Sequence, residues 1–152
     1  MVKPKQTFTN DESRRRSYDK ASSEYDNKRF TQSVEDASNE VLNNLLNLEP
    51  NSKILDLAAG TGRTSIPLAK NGFIVTALDL TEGMMKVMKK KIATQNIKNI
   101  DVVSGNAKQI PYEDSSFDAV VSFRFLHLFD EDDKQKIIDE AHRVVKPGGK
   151  VL

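Results

Sequence analysis

Residues 53–62 read Lys53-Ile54-Leu55-Asp56-Leu57-Ala58-Ala59-Gly60-Thr61-Gly62. A short apolar run carrying one carboxylate passes into a loop of small residues. Such a run, bounded by turn residues, is the pattern of a strand buried on both faces, as in a parallel sheet. The glycines then let the chain turn sharply or lie close to a bound molecule. Residues 64–70 follow as a helix, with Pro67 near the first turn, where backbone N–H groups have no helical partner. Asn71-Gly72 stops it.

The same alternation continues on both sides of this stretch. Upstream, Val34, Ala37, Val41, Leu45 and Leu48 fall at helical spacing, with Leu42 and Leu46 widening the stripe, and Pro50-Asn51 ends that helix. Downstream, residues 73–79 form a second strand ending at Asp79. Thr81 caps a helix whose buried face is Met84, Met85, Val87, Met88 and Ile92. Residues 100–103 form a third strand, and a polar loop runs from there to Ser116. Residues 117–122 are a fourth strand. Asp130 opens a helix whose acidic first turn suits the positive end of its dipole, with Ile137, Ile138, Ala141, Val144 and Val145 facing inward. Residues 146–149 are a turn, and Lys150-Val151-Leu152 begins a fifth strand. Alternating strands and helices predict an α/β, doubly wound parallel sheet with its ligand at the carboxyl ends of the strands.

Composition narrows the function classes. The chain has 152 residues and a formal net charge of +1, so no global basic field argues for nucleic acid. There is no cysteine, which excludes disulfides and thiolate metal sites and fits a reducing, cytoplasmic setting. Two histidines on separate elements, His127 and His142, argue against a metal centre. No apolar run reaches the roughly 18 residues of a membrane span. Residues 1–30 are polar and charged, with the run Arg14-Arg15-Arg16, read as a solvated face, and the pairs Tyr18-Asp19 and Tyr25-Asp26.

The loop chemistry favours one ligand class. A dinucleotide fingerprint needs a third glycine where Ser65 stands, and no Gly-Lys-Ser/Thr follows Gly60. Asp56 beside the loop would repel a pyrophosphate and favour a cation such as an ammonium or a sulfonium. Asp79 at the end of the second strand can accept both hydroxyls of a ribose, a role shared by dinucleotide enzymes.

Several separated segments together resemble class I S-adenosylmethionine-dependent methyltransferases, of the type 11 domain style found in quinone-biosynthesis methyltransferases. These are residues 55–62, Asp79-Leu80 followed by Met84, Gly105-Asn106-Ala107, Ile110-Pro111-Tyr112, Ser116-Phe117-Asp118, and residues 143–149. Ala58 departs from the commonest form, which has glycine there. The resemblance implies a Rossmann-like sheet and S-adenosyl-L-methionine as cofactor. It implies that Ala58, Gly60, Thr61 and Gly62 lie along the methionine part, that Asp56 orients its amino group, and that Asp79 takes the ribose. Leu80 and Met84 would pack on the adenine, Asn106 would meet its amino edge through a carbonyl oxygen, and Ala107 would offer a backbone N–H. Ser122 or Phe123 would border the methionine end. Met84 could equally be core, Phe117 reads as core, and Asp118 as a support of the fold.

Residues 1–32 look like the family's variable lid, with Tyr25 as the aromatic that covers the cofactor, and residues 33–152 like its cofactor-binding core. If the methyl acceptor must lose a proton, His127 is the candidate base, while Arg124 could bind an acidic acceptor. The nucleic-acid motif Asn/Asp-Pro-Pro-Tyr/Phe is absent after the fourth strand, which favours a small-molecule or lipid-like acceptor. The family's sheet ordinarily has seven strands, the last two a reversed hairpin. Ending at Leu152, this chain is expected to be C-terminally truncated with about five strands. Its exposed fifth-strand edge could pair two copies. Two other readings stand beside this one: a non-catalytic module that binds the cofactor or a partner subunit, and an NAD-dependent reductase.

Overall fold

A computed structural model describes residues 11–29, 32–45 and 47–152. Five strands form one parallel sheet: β1 (Lys53–Leu57), β2 (Ile74–Asp79), β3 (Ile100–Ser104), β4 (Phe117–Ser122) and β5 (Val145–Val151). Their order is β3-β2-β1-β4-β5, so the chain works outward to one edge and then restarts beside β1. The register runs Leu55 opposite Thr76 on one side and Val120 on the other.

Alternate side chains of each strand enter different cores. Ile54, Val75, Ala119 and Val121 pack with Leu45, Leu68, Ala69 and Phe73. That face is covered by α3 (Gln32–Leu45) and α4 (Ser65–Lys70), and by α5 (Glu82–Thr94), whose Met88 packs on Ala77. Leu55, Leu57, Leu78, Phe117 and Val120 pack on the other face against Ile137, Ala141 and Val144 of α6 (Glu131–Val144). Both faces of β1, β2 and β4 are therefore covered, which is why these strands read as continuous apolar runs.

Local details depart from the sequence expectation. Helix α3 ends at Leu45, and Leu48 folds back in a turn, its N–H donating to Leu45 O at 2.9 Å. Leu46 and the side chains of Val34 and Ala37 lie outside the described residues. Ile138 is 36% exposed, because a helix turns 100° between it and Ile137. Thr81 occupies the first position before α5 but makes no side-chain cap; the Asp19 carboxylate accepts from Gly83 N–H at 2.7 Å instead. Strand β5 starts at Val145, directly after α6. Phe117 pairs with Val145 and Ala119 with Lys150, so residues 146–149 bulge out within the strand.

The crossover from β3 to β4 contains no helix, and its loop is clamped to α6. Arg143 donates to Ile110 O at 3.0 Å and Tyr112 O at 2.8 Å, while Glu140 accepts from Ile110 N–H at 2.7 Å. Asp118 ties β1 to β5, accepting from Lys53 N–H and Lys146 Nζ, both at 2.7 Å.

At the N-terminal end, α1 (Asp11–Ala21) runs through a short 3-10 turn (Ser22–Glu24) into α2 (Tyr25–Arg29). Helix α1 buries none of its residues. It is held by polar ties: Lys108 bridges Asp11 at 2.7 Å and Asp133 at 2.9 Å, and Arg14 donates to Leu128 O at 3.1 Å and lies 3.9 Å from the Phe129 ring centre. Among the described residues, no helix is long and apolar enough to cross a membrane.

Candidate cofactor site

The carboxyl ends of β1, β2 and β4 meet where the strand order reverses, the general ligand position in such sheets. Asp56, in β1, is 2% exposed and accepts from Ser65 Oγ at 2.6 Å. Burial pushes its carboxyl up to about 7 against the Ser65 hydrogen bond, and the Asp79 charge pushes the same way. Asp79, ending β2, is also raised by burial, with the N–H groups of Thr81 and Gly60 opposing. Each of its oxygens accepts one of these N–H bonds at 2.7 Å, Oδ1 from Thr81 and Oδ2 from Gly60.

The loop after β1 turns its amides inward. Ala59 N–H donates to Leu78 O at 3.1 Å, Gly60 N–H to Asp79, and Gly62 N–H to Ala59 O at 3.0 Å. A phosphate-binding loop leaves such N–H groups free for the anion; here the protein uses them. Ala58 adopts a φ of 57°, in the left-handed region, where a Cβ costs about 1 kcal/mol. That is a physical reason for glycine at this place in the commoner form of the motif.

Above this loop lies a cavity of about 780 Å³, mouth included, within the roughly 300–1,000 Å³ of small-molecule sites. Ala58, Gly60, Asp79, Leu80, Met84, Asn106 and Ala107 line its inner end, and Tyr18 and Tyr25 its roof. An adjoining lobe adds Asp56, Thr61, Arg63 and His127. Leu80 is 36% exposed, an apolar wall facing open space, whereas Met84 is 2% exposed and belongs as much to the core.

Four expectations change. Gly62 lines neither lobe; a Cβ there would come within 2.7 Å of Met88 Cγ, so its bareness serves core packing. Ser122 lines neither lobe, its Oγ turned to Leu57 O at 3.3 Å, and Phe123 takes the position on the cavity. The Thr61 hydroxyl is committed to Asp26 Oδ1 at 2.7 Å. The Asn106 side-chain oxygen already accepts from Lys108 N–H at 2.9 Å, leaving one lone pair for a ligand. The arginine run is also not uniformly solvated: Arg14 and Arg15 line the cavity, while Arg16 pairs with Glu12. Helical phase on a polar helix carries no hydropathy signal from which that split could have been read.

Asp26 joins the roof to the floor. It accepts from Thr61 Oγ1 and from Arg63 Nε at 3.1 Å, and bridges Lys91 of α5 at 2.5 Å. Burial alone would raise its carboxyl, but Lys91, Thr61 and Arg63 outweigh it and hold it below the usual range.

Known proteins match both the sequence and the fold. The methyltransferase domain model matches residues 54–149. The chain belongs to the methyltransferase domain family. A demethylmenaquinone methyltransferase of Renibacterium salmoninarum is 41% identical over 104 residues, 68% of this chain and 40% of that protein. The chain thus spans about two fifths of that relative's length. A solved SAM-dependent methyltransferase of Methanosarcina mazei has a TM-score of 0.66 at 28% identity, covering 73% of this chain and 54% of its own. Haemonchus contortus phosphoethanolamine N-methyltransferase 2, solved with S-adenosyl-L-methionine, has a TM-score of 0.68 at 25% identity, covering 76% of this chain and 27% of its own. Like those folds, this one is a parallel, Rossmann-like sheet with helices on both faces.

Proposed function

We propose that this chain is the S-adenosylmethionine-binding part of a methyltransferase whose acceptor is a small or lipid-like molecule. The observation that carries the reading is the pairing of two buried carboxylates, Asp56 and Asp79, with a glycine loop whose amides are already bonded. That arrangement suits a cation and ribose hydroxyls and repels a pyrophosphate, which weighs against the NAD-dependent reading. When bound, the cofactor supplies an electrophilic methyl group on a sulfonium.

The residues divide the work. Asp79 accepts the ribose hydroxyls. Leu80 and Met84 hold the adenine face, with Asn106 and Ala107 at its edge. Asp56, Ala58, Gly60 and Thr61 border the methionine end. Tyr25, on a lid of residues 1–32 over a core of residues 33–152, excludes water. Orientation of this kind is worth about 7–11 kcal/mol in well-aligned reactions. His127, on the lobe beside Asp56, is the candidate base where the acceptor must lose a proton. The name of the Renibacterium relative supports an aromatic, lipid-like acceptor, the lack of cysteine supports a cytoplasmic setting, and exposed Val151 on β5 supports pairing of copies along that edge.

Calorimetry with S-adenosylhomocysteine and with NAD tests the reading. The first should bind and the second should not. Asp79→Asn, which leaves one acceptor oxygen, should weaken S-adenosylhomocysteine at least about tenfold. Undiminished affinity in this variant removes the ribose assignment, and preferential binding of NAD removes the cofactor.

A further inference from the structure

The cavity lining carries both signs of charge, with buried carboxylates and exposed arginines. Asp79 is buried in the main cavity and Asp56 in the adjoining lobe, whereas the exposed Arg15 lines the main cavity, with Asp11 and Arg14, and the exposed Arg124 lines both. Among the described residues, neither arginine makes a hydrogen bond or an ion pair. Arg14, Arg16, Arg63 and Arg143 are all paired with carboxylates. Glu82 lies within electrostatic reach of Arg15 but is itself bridged to Lys86 at 2.9 Å. Two uncommitted guanidinium groups therefore share one cavity, one from the lid and one from the loop after β4.

Arg124 has a second peculiarity. Its φ is 55°, a left-handed conformation that costs a side chain with a Cβ about 1–2 kcal/mol. No described hydrogen bond or ion pair of its own side chain offsets that cost. Strain of this kind persists where the surrounding chain over-determines it, and it clusters at ligand-contacting positions. Its flanking residues Phe123 and Phe125 line the same cavity, with Phe129 beside them. A planar guanidinium that shares a cavity lining with aromatic side chains matches a flat apolar body bearing an oxyanion, through bidentate hydrogen bonds and stacking.

The geometry points to Arg124 as a specificity-determining residue that selects an aromatic acceptor carrying an anionic oxygen group, with Arg15 closing on the same group from the lid. This rests on the reading that cofactor and acceptor share the cavity. The lining offers partners for both ligands: the buried carboxylates for a cationic group, the unpaired Arg15 and Arg124 for an anionic one. Arg124 holds and orients the acceptor and takes no proton.

The test uses a charged and a neutral probe of the same shape, 2-naphthoate and 2-naphthamide, titrated into the full chain saturated with S-adenosylhomocysteine. The naphthoate should bind about tenfold more tightly, and added salt should narrow the gap. Arg124→Gln should erase the preference and Arg124→Lys should restore part of it, while Arg15→Gln should reduce it. Equal binding of the two probes, no saturable binding of naphthoate at millimolar concentration, or a preference that survives Arg124→Gln overturns the proposal. S-adenosylhomocysteine affinity, measured first in every variant, reports separately on the cofactor reading.

Discussion

Asp56 shows how a single buried side chain can cost a folded protein stability as pH rises. It is almost sealed from water, with Ser65 Oγ as its side-chain donor and a second carboxylate nearby. Its carboxyl rises from 3.8 to about 7. A raised acid binds its proton more tightly in the folded state, so this group's stabilising contribution is full below about pH 4. It is lost as pH climbs through about 7, with a span of about 4 kcal/mol. Asp56→Asn should therefore melt higher than the parent near pH 8, and the difference should narrow through pH 5 and close below about pH 4, as followed by thermal unfolding without ligand. The same variant should lose the melting-point rise that S-adenosylhomocysteine gives the parent. A lower melting point near pH 8 would mean that the carboxylate has a stabilising partner in the empty protein. At this scale the buried positions of Asp56 and Asp79 were legible in the sequence, because each lies near the end of an apolar strand run. Gly62 and Ser122 were not, since membership of a motif does not say which side of the loop a residue faces. Gly62 meets Met88, and Ser122 meets the backbone of β1.

The elements repeat that lesson. The first four strands were legible to within a residue because each is a short apolar run bounded by turn residues, whereas β5 starts at Val145, ahead of the expected Lys150. The ends of the helices were less so, because their caps come from distant residues. The amide of Gly83 at the start of α5 is satisfied by Asp19, 64 positions earlier. Here the lid meets the start of α5: a Cβ on Gly83 would fall 2.6 Å from Ser22 Oγ and 3.1 Å from Asp19 Oδ1. Alanine favours a helix over glycine by about 1 kcal/mol. Without a docked lid, Gly83→Ala would simply steady α5. With the lid seated by polar ties alone, the added methyl should lift α1 while α5 keeps its own protection. Hydrogen exchange separates these outcomes: faster exchange across α1 and α2, with α5 amides unchanged or slower, is expected. Unchanged exchange in α1 would show that the lid does not rest on this contact.

For the molecule as a whole, topology was legible because alternating apolar runs and amphipathic helices admit few arrangements, and right-handed crossovers prune them further. The cavity's roof was not, because α1 carries no apolar stripe and its contacts are ionic. The crossover from β3 to β4 was legible as a polar loop, but its anchorage was not: with no helix of its own, it borrows one. Arg143 reaches from α6 to two carbonyls of that loop, to Asp114 at 2.9 Å, and to Glu140 at 2.6 Å, while Glu140 takes the amide of Ile110. Ile110 and Ala107 of the loop are buried in the α6 core, and Ala107 also lines the cavity. One guanidinium thus joins core, loop and site. Hydrogen bonds to charged groups contribute roughly 1.5–3 kcal/mol each where a backbone partner is left unpaired. Arg143→Ala should therefore cost about 2 kcal/mol in urea unfolding and weaken S-adenosylhomocysteine as well. Arg16→Ala, which breaks only the exposed pair with Glu12, should cost under about 0.5 kcal/mol and leave binding alone. If the two variants unfold alike, the loop is held by its apolar residues, and the clamp from α6 is incidental to the site.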